Sequence, residues 1–392
     1  HTTPDRHSES TPSTDRQFDL ARMLVEELRA IGVSDIYFDD QCYVIARLPA
    51  TTEGAESVGL MAHLDTSPDT SGENVQPLVH AAYDGGTISL PGGTELSPEE
   101  NPDLAQYRGE TIITSDGSTL LGADDKAGVA EIMTAVAYLQ DHPEIPHGQI
   151  EIIFTPDEEI GKGMDHFPIS ELRSLYCYTI DGGEEGGIEA ECFNAYLATV
   201  RFQGHVIHPG SARGRLVNAN TMAATFLSMV PRTESPEATD GRYGFYCPIE
   251  VKGDMNAATV ELIVRDFTMS EVQRRLTALQ RFAEAVESQF PGGRVEVDAT
   301  EQYRNMYETL SHHPAVLETL EQAVRDTGME PFRKVIRGGT DGARLTQMGI
   351  PTPNVFAGAH NMHGVHEWVA LPTMVRAAKS IVNLARLWAS PR

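Results

Sequence analysis

Compact apolar runs separated by helical spacing constrain the fold of this chain more than any other feature of its sequence. The runs at 57–62, 149–155 and 175–180 have the length and composition of buried strands. Residues 126–140 have the spacing of a helix. Because strands alternate with helices, the sequence predicts an α/β fold with a doubly wound, mostly parallel sheet. The segment 66–110 has little periodicity, and its length favours a functional loop over a simple connection.

A different pattern occupies residues 193–304. Four strands and two helices are predicted there, at 195–202, 216–230, 245–251, 258–267, 270–289 and 294–299. The helix at 270–289 is expected to begin with a capping box, Ser270-Glu271-Val272-Gln273. We therefore predict a catalytic domain formed by residues 1–192 and 305–392, with a smaller α+β lid domain inserted at 193–304. The length of 392 residues also favours two domains.

Composition excludes several classes of protein. The four cysteines have no C-x-x-C spacing, which argues against a thiolate zinc site and against a disulfide scaffold. We therefore expect a cytoplasmic location. The sequence has no apolar run long enough to span a membrane and no secretory signal pattern.

The net charge is −27, from 30 basic and 57 acidic residues. Such a charge makes nucleic acids and anionic membranes unfavourable partners. The simpler interpretation of the charge is a well-solvated acidic surface. Adaptation to high salt is the alternative, and it requires activity and melting temperature to differ between low and molar salt.

Five clusters of metal-ligand side chains follow predicted strands, begin a helix or lie in a loop. They are His63-Leu64-Asp65, Asp124-Asp125, Asp157-Glu158-Glu159, Asp181-Gly182-Gly183 and His360-Asn361-Met362-His363-Gly364-Val365-His366-Glu367. Each cluster alone has a simpler interpretation, such as a helix cap or a solvated loop. Together they favour a metal centre at the carboxyl edge of the sheet, where open α/β sheets bind ligands. Imidazoles with carboxylates and no thiolate suit a pair of Zn²⁺ or similar ions about 3.5–4 Å apart.

Four longer motifs follow one another along the chain. They are His63-Leu64-Asp65-Thr66-Ser67-Pro68-Asp69, Leu121-Gly122-Ala123-Asp124-Asp125-Lys126-Ala127-Gly128, Phe154-Thr155-Pro156-Asp157-Glu158-Glu159 and Ile336-Arg337-Gly338-Gly339-Thr340-Asp341-Gly342. Together they resemble the peptidase T family of bacterial tripeptide aminopeptidases. That family is related to carboxypeptidase G-type enzymes and to acetylornithine deacetylase. The resemblance covers nearly the whole chain and implies one more helix ahead of residue 1.

The resemblance also implies a ligand set for two Zn²⁺ ions per subunit, with Co²⁺ or Mn²⁺ as alternatives. One ion is bound by His63 and Asp181, the other by Glu159 and His363, and both by Asp124. Asp65 orients the ring of His63. Position 181 is an Asp rather than a Glu, and in this respect the chain resembles the aminopeptidase branch of the family rather than the carboxypeptidase or deacylase branches.

Further residues receive catalytic and substrate-binding roles by the same resemblance. Glu158 is the general base, which takes a proton from the attacking water and gives it to the leaving amine. His208 resembles a lid histidine that stabilises the oxyanion, and Arg265 resembles a lid arginine that binds the carboxylate of the peptide. Asn305 and Arg337 are expected to line the cleft. A surface histidine and a strand-end salt bridge stay open as alternatives for His208 and Arg265.

The predicted function is a metal-dependent aminopeptidase that releases the N-terminal residue from tripeptides. A related deacylase or dipeptidase, acting on N-acyl amino acids or on dipeptides, is the alternative, and a free amine on the best substrate separates the two. A metal-dependent binding protein without catalysis is a third alternative, but it would not need the Glu158–Glu159 pair. The expected partners are small peptides, chiefly tripeptides, and a homodimer stays open.

Overall fold

The structure is a computed structural model, and it describes residues 1–390. Within these residues the α-helices are α1 (Arg16–Ala30), α2 (Ala123–Asp141), α3 (Ala219–Met229), α4 (Met269–Gln289), α5 (Tyr307–Leu310), α6 (Pro314–Arg325), α7 (Asp341–Gln347) and α8 (Leu371–Trp388). The strands are β1 (Asp35–Phe38), β2 (Val44–Leu48), β3 (Val58–His63), β4 (Leu78–His80), β5 (Ile88–Ser89), β6 (Glu95–Leu96), β7 (Ile112–Thr114), β8 (Ile150–Thr155), β9 (Tyr176–Gly182), β10 (Gly187–Cys192), β11 (Asn194–Gln203), β12 (Phe245–Gly253), β13 (Ala257–Asp266), β14 (Arg294–Tyr303), β15 (Phe332–Ile336), β16 (Asn354–Phe356), β17 (Ala359–His360) and β18 (Trp368–Ala370).

The described chain divides into two compact units. The first unit contains residues 1–190, 306–334 and those from 340 onward, and the second contains residues 191–305 and 335–339. The domain limits predicted from the sequence, at residues 193 and 305, stay a proposal.

The first unit is built on an eight-stranded sheet in the order β1-β2-β8-β3-β9-β16-β10-β15. Its centre is parallel: β3 runs parallel to both β8 and β9, and β16 runs parallel to β9. The strands β2 and β10 are antiparallel to their neighbours β8 and β16. This sheet confirms the predicted α/β class. Every residue of β3 and β8 is buried, which explains why these strands read as continuous apolar runs in the sequence.

The parallel strands also place the predicted ligand clusters side by side. His63, the last residue of β3, pairs with Thr155, the last residue of β8. The Asp157-Glu158-Glu159 cluster therefore leaves the sheet next to His63, and Asp181 lies near the end of β9 on the other side.

The prediction of a long loop at 66–110 was wrong in part, because short regular elements interrupt it. This segment contains β4, β5, β6 and a 3-10 helix, Pro102–Tyr107. The strand β4 completes a second, four-stranded sheet in the order β17-β18-β7-β4. Because these strands are only two or three residues long, they are too short to produce an alternating pattern in the sequence.

The second unit contains a four-stranded antiparallel sheet in the order β12-β13-β11-β14, with the helices α3 and α4. This composition confirms the predicted α+β character. The two helices and the sheet enclose a core that includes Phe202, Phe226, Tyr246 and Leu279. The expected capping box was wrong, because α4 begins at Met269 and the hydroxyl of Thr268 accepts the N-terminal hydrogen bond from the backbone N–H of Glu271, at 3.3 Å.

Among the described residues, no helix combines the length and the apolar composition that crossing a bilayer requires.

Candidate metal centre

His63 is held at one ring nitrogen and faces carboxylates with the other. Its Nδ1 lies 3.1 Å from the main-chain oxygen of Asp65 and 3.4 Å from Oδ1 of the same residue. Its Nε2 lies 3.0 Å from Oδ1 of Asp124 and 3.6 Å from Oδ1 of Asp181. A histidine fixed in this way by an oxygen acceptor is typical of a metal ligand.

Asp124 is shared by two groups of potential ligands. While its Oδ1 faces His63, its Oδ2 lies 3.3 Å from Nε2 of His363, and that nitrogen lies 3.1 Å from Oε2 of Glu159. The groups are therefore His63–Asp124–Asp181 and Asp124–Glu159–His363, and within each group the ligand atoms lie within 4.8 Å of one another. A carboxylate between two such groups has the geometry of a bridging ligand.

The turn that carries Asp124 departs from helical geometry. The helix α2 begins at Ala123, three residues before the predicted start, but Asp124 and Asp125 have non-helical dihedral angles and are joined by a cis peptide bond. Gly122, just before the turn, has a φ of +79°, a conformation that glycine adopts without strain.

Glu367 holds this turn through three backbone hydrogen bonds. Its carboxylate accepts from the N–H groups of Leu121, Gly122 and Asp124, at 2.8, 2.7 and 3.0 Å. The side chain is only 1% exposed. Sequence reasoning placed Glu367 in a ligand-rich cluster but gave it no role, and the structure shows that it fixes the position of Asp124.

Asp65 has a second contact that the sequence did not reveal. Its Oδ1 accepts a hydrogen bond from the backbone N–H of Glu158, and its Oδ2 accepts one from the N–H of Glu159, both at 3.0 Å. The aspartate thus joins His63 to the turn that begins with Glu158, a short 3-10 helix ending at Ile160.

Burial opposes the ionisation of several of these acids. It raises the pKa of Asp181 to about 7, and it also raises the pKa of Glu158 and of Glu159. Hydrogen bonds to Asp124 and Glu159 raise the pKa of His363 to about 11. Although burial acts against it, hydrogen bonding to the two histidines holds the pKa of Asp124 below its usual range. A site with this much buried negative charge is stabilised by added positive charge.

The residues present fit divalent cations. The donor set contains two imidazoles and three carboxylates and no thiolate, a combination that Zn²⁺ and related ions accept. Within residues 1–390, Oε1 of Glu159 is buried without a hydrogen-bond partner, although its Oε2 faces His363. A cation would provide the partner that a buried carboxylate oxygen needs.

Of the three histidines in the segment between β16 and β18, His363 belongs to these groups in the described structure. The ring of His360 instead stacks on Trp368, with ring centroids 3.9 Å apart and planes 3° apart. The main-chain oxygen of His366 accepts a hydrogen bond from the side chain of Asn361.

The remaining predicted residues belong to the second unit, where the structure gives their local contacts. His208 is exposed, and its Nδ1 accepts from the N–H of Gly210 at 3.1 Å. Arg265 donates to the main-chain oxygen of Arg337 at 3.2 Å. Their catalytic and substrate-binding roles stay predictions.

Arg337 and Asn305, the other two residues predicted to contact substrate, also bind backbone groups. The guanidinium of Arg337 donates to main-chain oxygens of Thr239, Gly241 and Tyr243. The side chain of Asn305 accepts from the N–H of Cys192 at 3.2 Å. These contacts stabilise the second unit, and a place for either residue in the cleft stays a prediction.

Comparison with known proteins identifies the family. The model of peptidase family M20/M25/M40 matches residues 101–387, and the chain therefore belongs to that family. A peptidase T from Geobacillus thermodenitrificans is 44% identical over 390 residues, which are 99% of this chain and 95% of the relative.

Solved structures have the same fold. The aminopeptidase PepT from Bacillus cereus superposes with a TM-score of 0.76 at 23% identity, covering 98% of this chain and 95% of that one. A dinuclear metal-binding peptidase of family M20 from Bacillus subtilis superposes with a TM-score of 0.67 at 15% identity, covering 99% and 95%.

Proposed function

We propose that this protein is a metal-dependent aminopeptidase that releases the N-terminal residue from tripeptides. The single observation that carries the metal chemistry is the position of Asp124, whose two carboxylate oxygens face His63 and His363. The tripeptide specificity is supported by peptidase T relatives, which are 43–46% identical to this chain over nearly its whole length.

We assign two Zn²⁺ ions to this centre, with Co²⁺ or Mn²⁺ as alternatives. His63 and Asp181 would hold one ion, Glu159 and His363 the other, and Asp124 both. When bound, the two ions lower the pKa of a water and polarise the carbonyl of the scissile peptide bond.

Glu158 would transfer a proton from the attacking water to the leaving amine. It follows Asp157 in the turn held by Asp65, next to the ligand Glu159. Burial raises its pKa, which lets the side chain accept a proton from the attacking water and return it to the leaving amine. Asp65 would position both Glu158 and the ring of His63.

The second unit would supply the substrate contacts. His208 would donate to the developing oxyanion, Arg265 would bind the carboxylate of the peptide, and Asn305 and Arg337 would line the cleft. His208 would act within its own subunit or across a homodimer. The four free cysteines support the expected cytoplasmic location.

A substrate panel tests the proposed function. Zinc-loaded protein is expected to release the first residue from tripeptides but not from the matching dipeptides or tetrapeptides. N-acetylation of the tripeptide and addition of a chelator should each abolish release, because the reaction needs a free amine and the metal ions. Products are identified by chromatography. Cleavage of only the acetylated peptides would instead establish the deacylase alternative.

His208→Ala is expected to lower turnover by about 10²–10³-fold, the usual cost of one oxyanion donor. Metal content should not change, since His208 belongs to neither ligand group. His205→Ala is the matched control, because His205 is an exposed histidine three residues away on the same segment. The turnover and the metal content of both variants are measured and compared with those of the wild-type protein. Equal turnover in the two would remove His208 from the mechanism.

A further inference from the structure

The N-terminal arm, residues 1–17, contacts the chain segments that carry the candidate metal ligands. Lys126, two residues after Asp124, donates from Nζ to the hydroxyl of Thr2 at 2.8 Å. Lys162, two residues after the turn that begins with Glu158, donates from Nζ to the main-chain oxygen of Ser8 at 2.7 Å. The arm thus contacts both the segment that carries Asp124 and the segment that carries Glu158 and Glu159. All of these residues belong to the first unit.

The centre of this contact is the carboxylate of Asp157. It accepts hydrogen bonds from the backbone N–H of Ser13 at 2.6 Å, from the hydroxyl of Ser13 at 2.5 Å and from Nε2 of Gln17 at 2.7 Å. In return, the backbone N–H of Asp157 donates to Oε1 of Gln17 at 3.1 Å. The amide of Gln17 therefore binds both the side chain and the backbone of Asp157.

The arm supplies hydrogen bonds to a carboxylate that is out of contact with water. Asp157 and Gln17 are both 0% exposed, and Ser13 is 8% exposed. Within the described residues Asp157 has no ion pair with a basic side chain, so neutral donors of the arm provide its stabilisation. A buried carboxylate is costly unless it is hydrogen-bonded, and these contacts therefore constrain its position strongly.

Asp157 begins the turn that carries the proposed general base. Its φ is +59°, a left-handed conformation that a residue with a side chain adopts only when its surroundings favour it. Glu158 follows directly, and the carboxylate of Asp65 accepts hydrogen bonds from the N–H groups of Glu158 and Glu159. The turn is thus held at two points, by Asp65 and, through Asp157, by the arm.

We propose that Ser13 and Gln17 are positioning residues for the Glu158–Glu159 turn, which act through Asp157. This inference rests on the proposed role of Glu158. Without the arm contacts, the carboxylate of Asp157 would lose the donors that Ser13 and Gln17 supply, and the Glu158 carboxylate would lose its alignment. A misplacement of about 1 Å can cost roughly 100-fold in rate even when no reacting group is altered.

The test compares Gln17→Ala with Leu24→Ala. Leu24 is 3% exposed, lies two turns further along α1, and has no group that can hydrogen-bond to Asp157. Both variants remove a buried side chain from the same helix, so both are expected to lower the melting temperature. Gln17→Ala should also lower kcat for a tripeptide by about 10–100-fold, the range expected of a misplaced catalytic group. Its KM and its metal content should stay at the wild-type values, and Leu24→Ala should keep its kcat.

A second pair covers the case in which Gln17→Ala does not fold. Ser13→Ala removes the hydroxyl that donates to Asp157, and Ser13→Thr restores it. We expect kcat to fall in the first variant and to return in the second. The proposal would be overturned if Gln17→Ala and Leu24→Ala lost kcat in the same proportion to their fall in melting temperature. The arm would then have only a structural role.

Glu158→Gln, assayed in parallel, separates the inference from the assignment on which it rests. If Glu158→Gln retains turnover, the general-base assignment is wrong, and the positioning proposal fails with it. If Glu158→Gln is inactive while Gln17→Ala keeps full kcat, only the positioning proposal fails.

Discussion

Glu158→Gln is expected to retain both metal ions and to lose about 10²–10⁴-fold in turnover, the usual contribution of a positioned acid–base group. Glutamine has nearly the same shape as glutamate but cannot accept and return the proton. Glu158 belongs to neither group of potential ligands, so its replacement should leave both metal sites in place. The measurements are kcat for a tripeptide and the metal content after dialysis.

The adjacent glutamate provides a matched control. Glu159→Gln makes the same chemical change one residue away, but Glu159 lies 3.1 Å from His363 in the second ligand group. This variant should therefore lose metal along with activity. If the two variants behave in the opposite way, with metal loss in Glu158→Gln, the roles of the two glutamates would have to be exchanged.

The strands that carry the candidate site could be predicted because each leaves a strong local signal. The strands β3 and β8 are fully buried, so their apolar runs stand out from the surrounding sequence. Parallel pairing then places the residues after such strands at one edge of the sheet. These two facts are sufficient to predict that His63 and Glu159 lie near each other.

The contacts that fix the site could not be predicted, because they join residues that are far apart in the chain. Glu367 binds the backbone of Asp124 across 243 residues, and Ser13 binds Asp157 across 144. A carboxylate that accepts backbone N–H groups has no periodicity or spacing that reveals its partners. The second contact of Asp65, with the Glu158 turn, was missed for the same reason.

The sequence analysis also missed short strands and misplaced the start of a helix. The strands β5 and β6 have two residues each, and alternation cannot be recognised over that length. At the start of α4, both Thr268 and Ser270 are suitable cap residues, and only the backbone geometry selects Thr268. The sequence therefore predicts the presence of an element more reliably than its first residue.

Asp124→Ala is expected to remove both metal ions, whereas Asp181→Ala should remove only one. Asp124 faces both histidines and is shared by the two ligand groups, while Asp181 belongs only to the group that contains His63. Loss of a residue that only orients a metal ligand typically lowers metal affinity by about 10–100-fold. Loss of a ligand shared by both ions should therefore lower the affinity for each ion by more than that. Turnover should fall with the metal content in each variant.

Equilibrium dialysis against buffered Zn²⁺, followed by elemental analysis, measures the two affinities. The wild-type protein should bind two ions, Asp181→Ala one, and Asp124→Ala none at the same free zinc concentration. Asp116→Asn, a change to a half-buried aspartate outside both groups, controls for the loss of one negative charge. Retention of one tightly bound ion by Asp124→Ala would mean that the carboxylate does not bridge, because a bridging ligand cannot be removed from one ion alone.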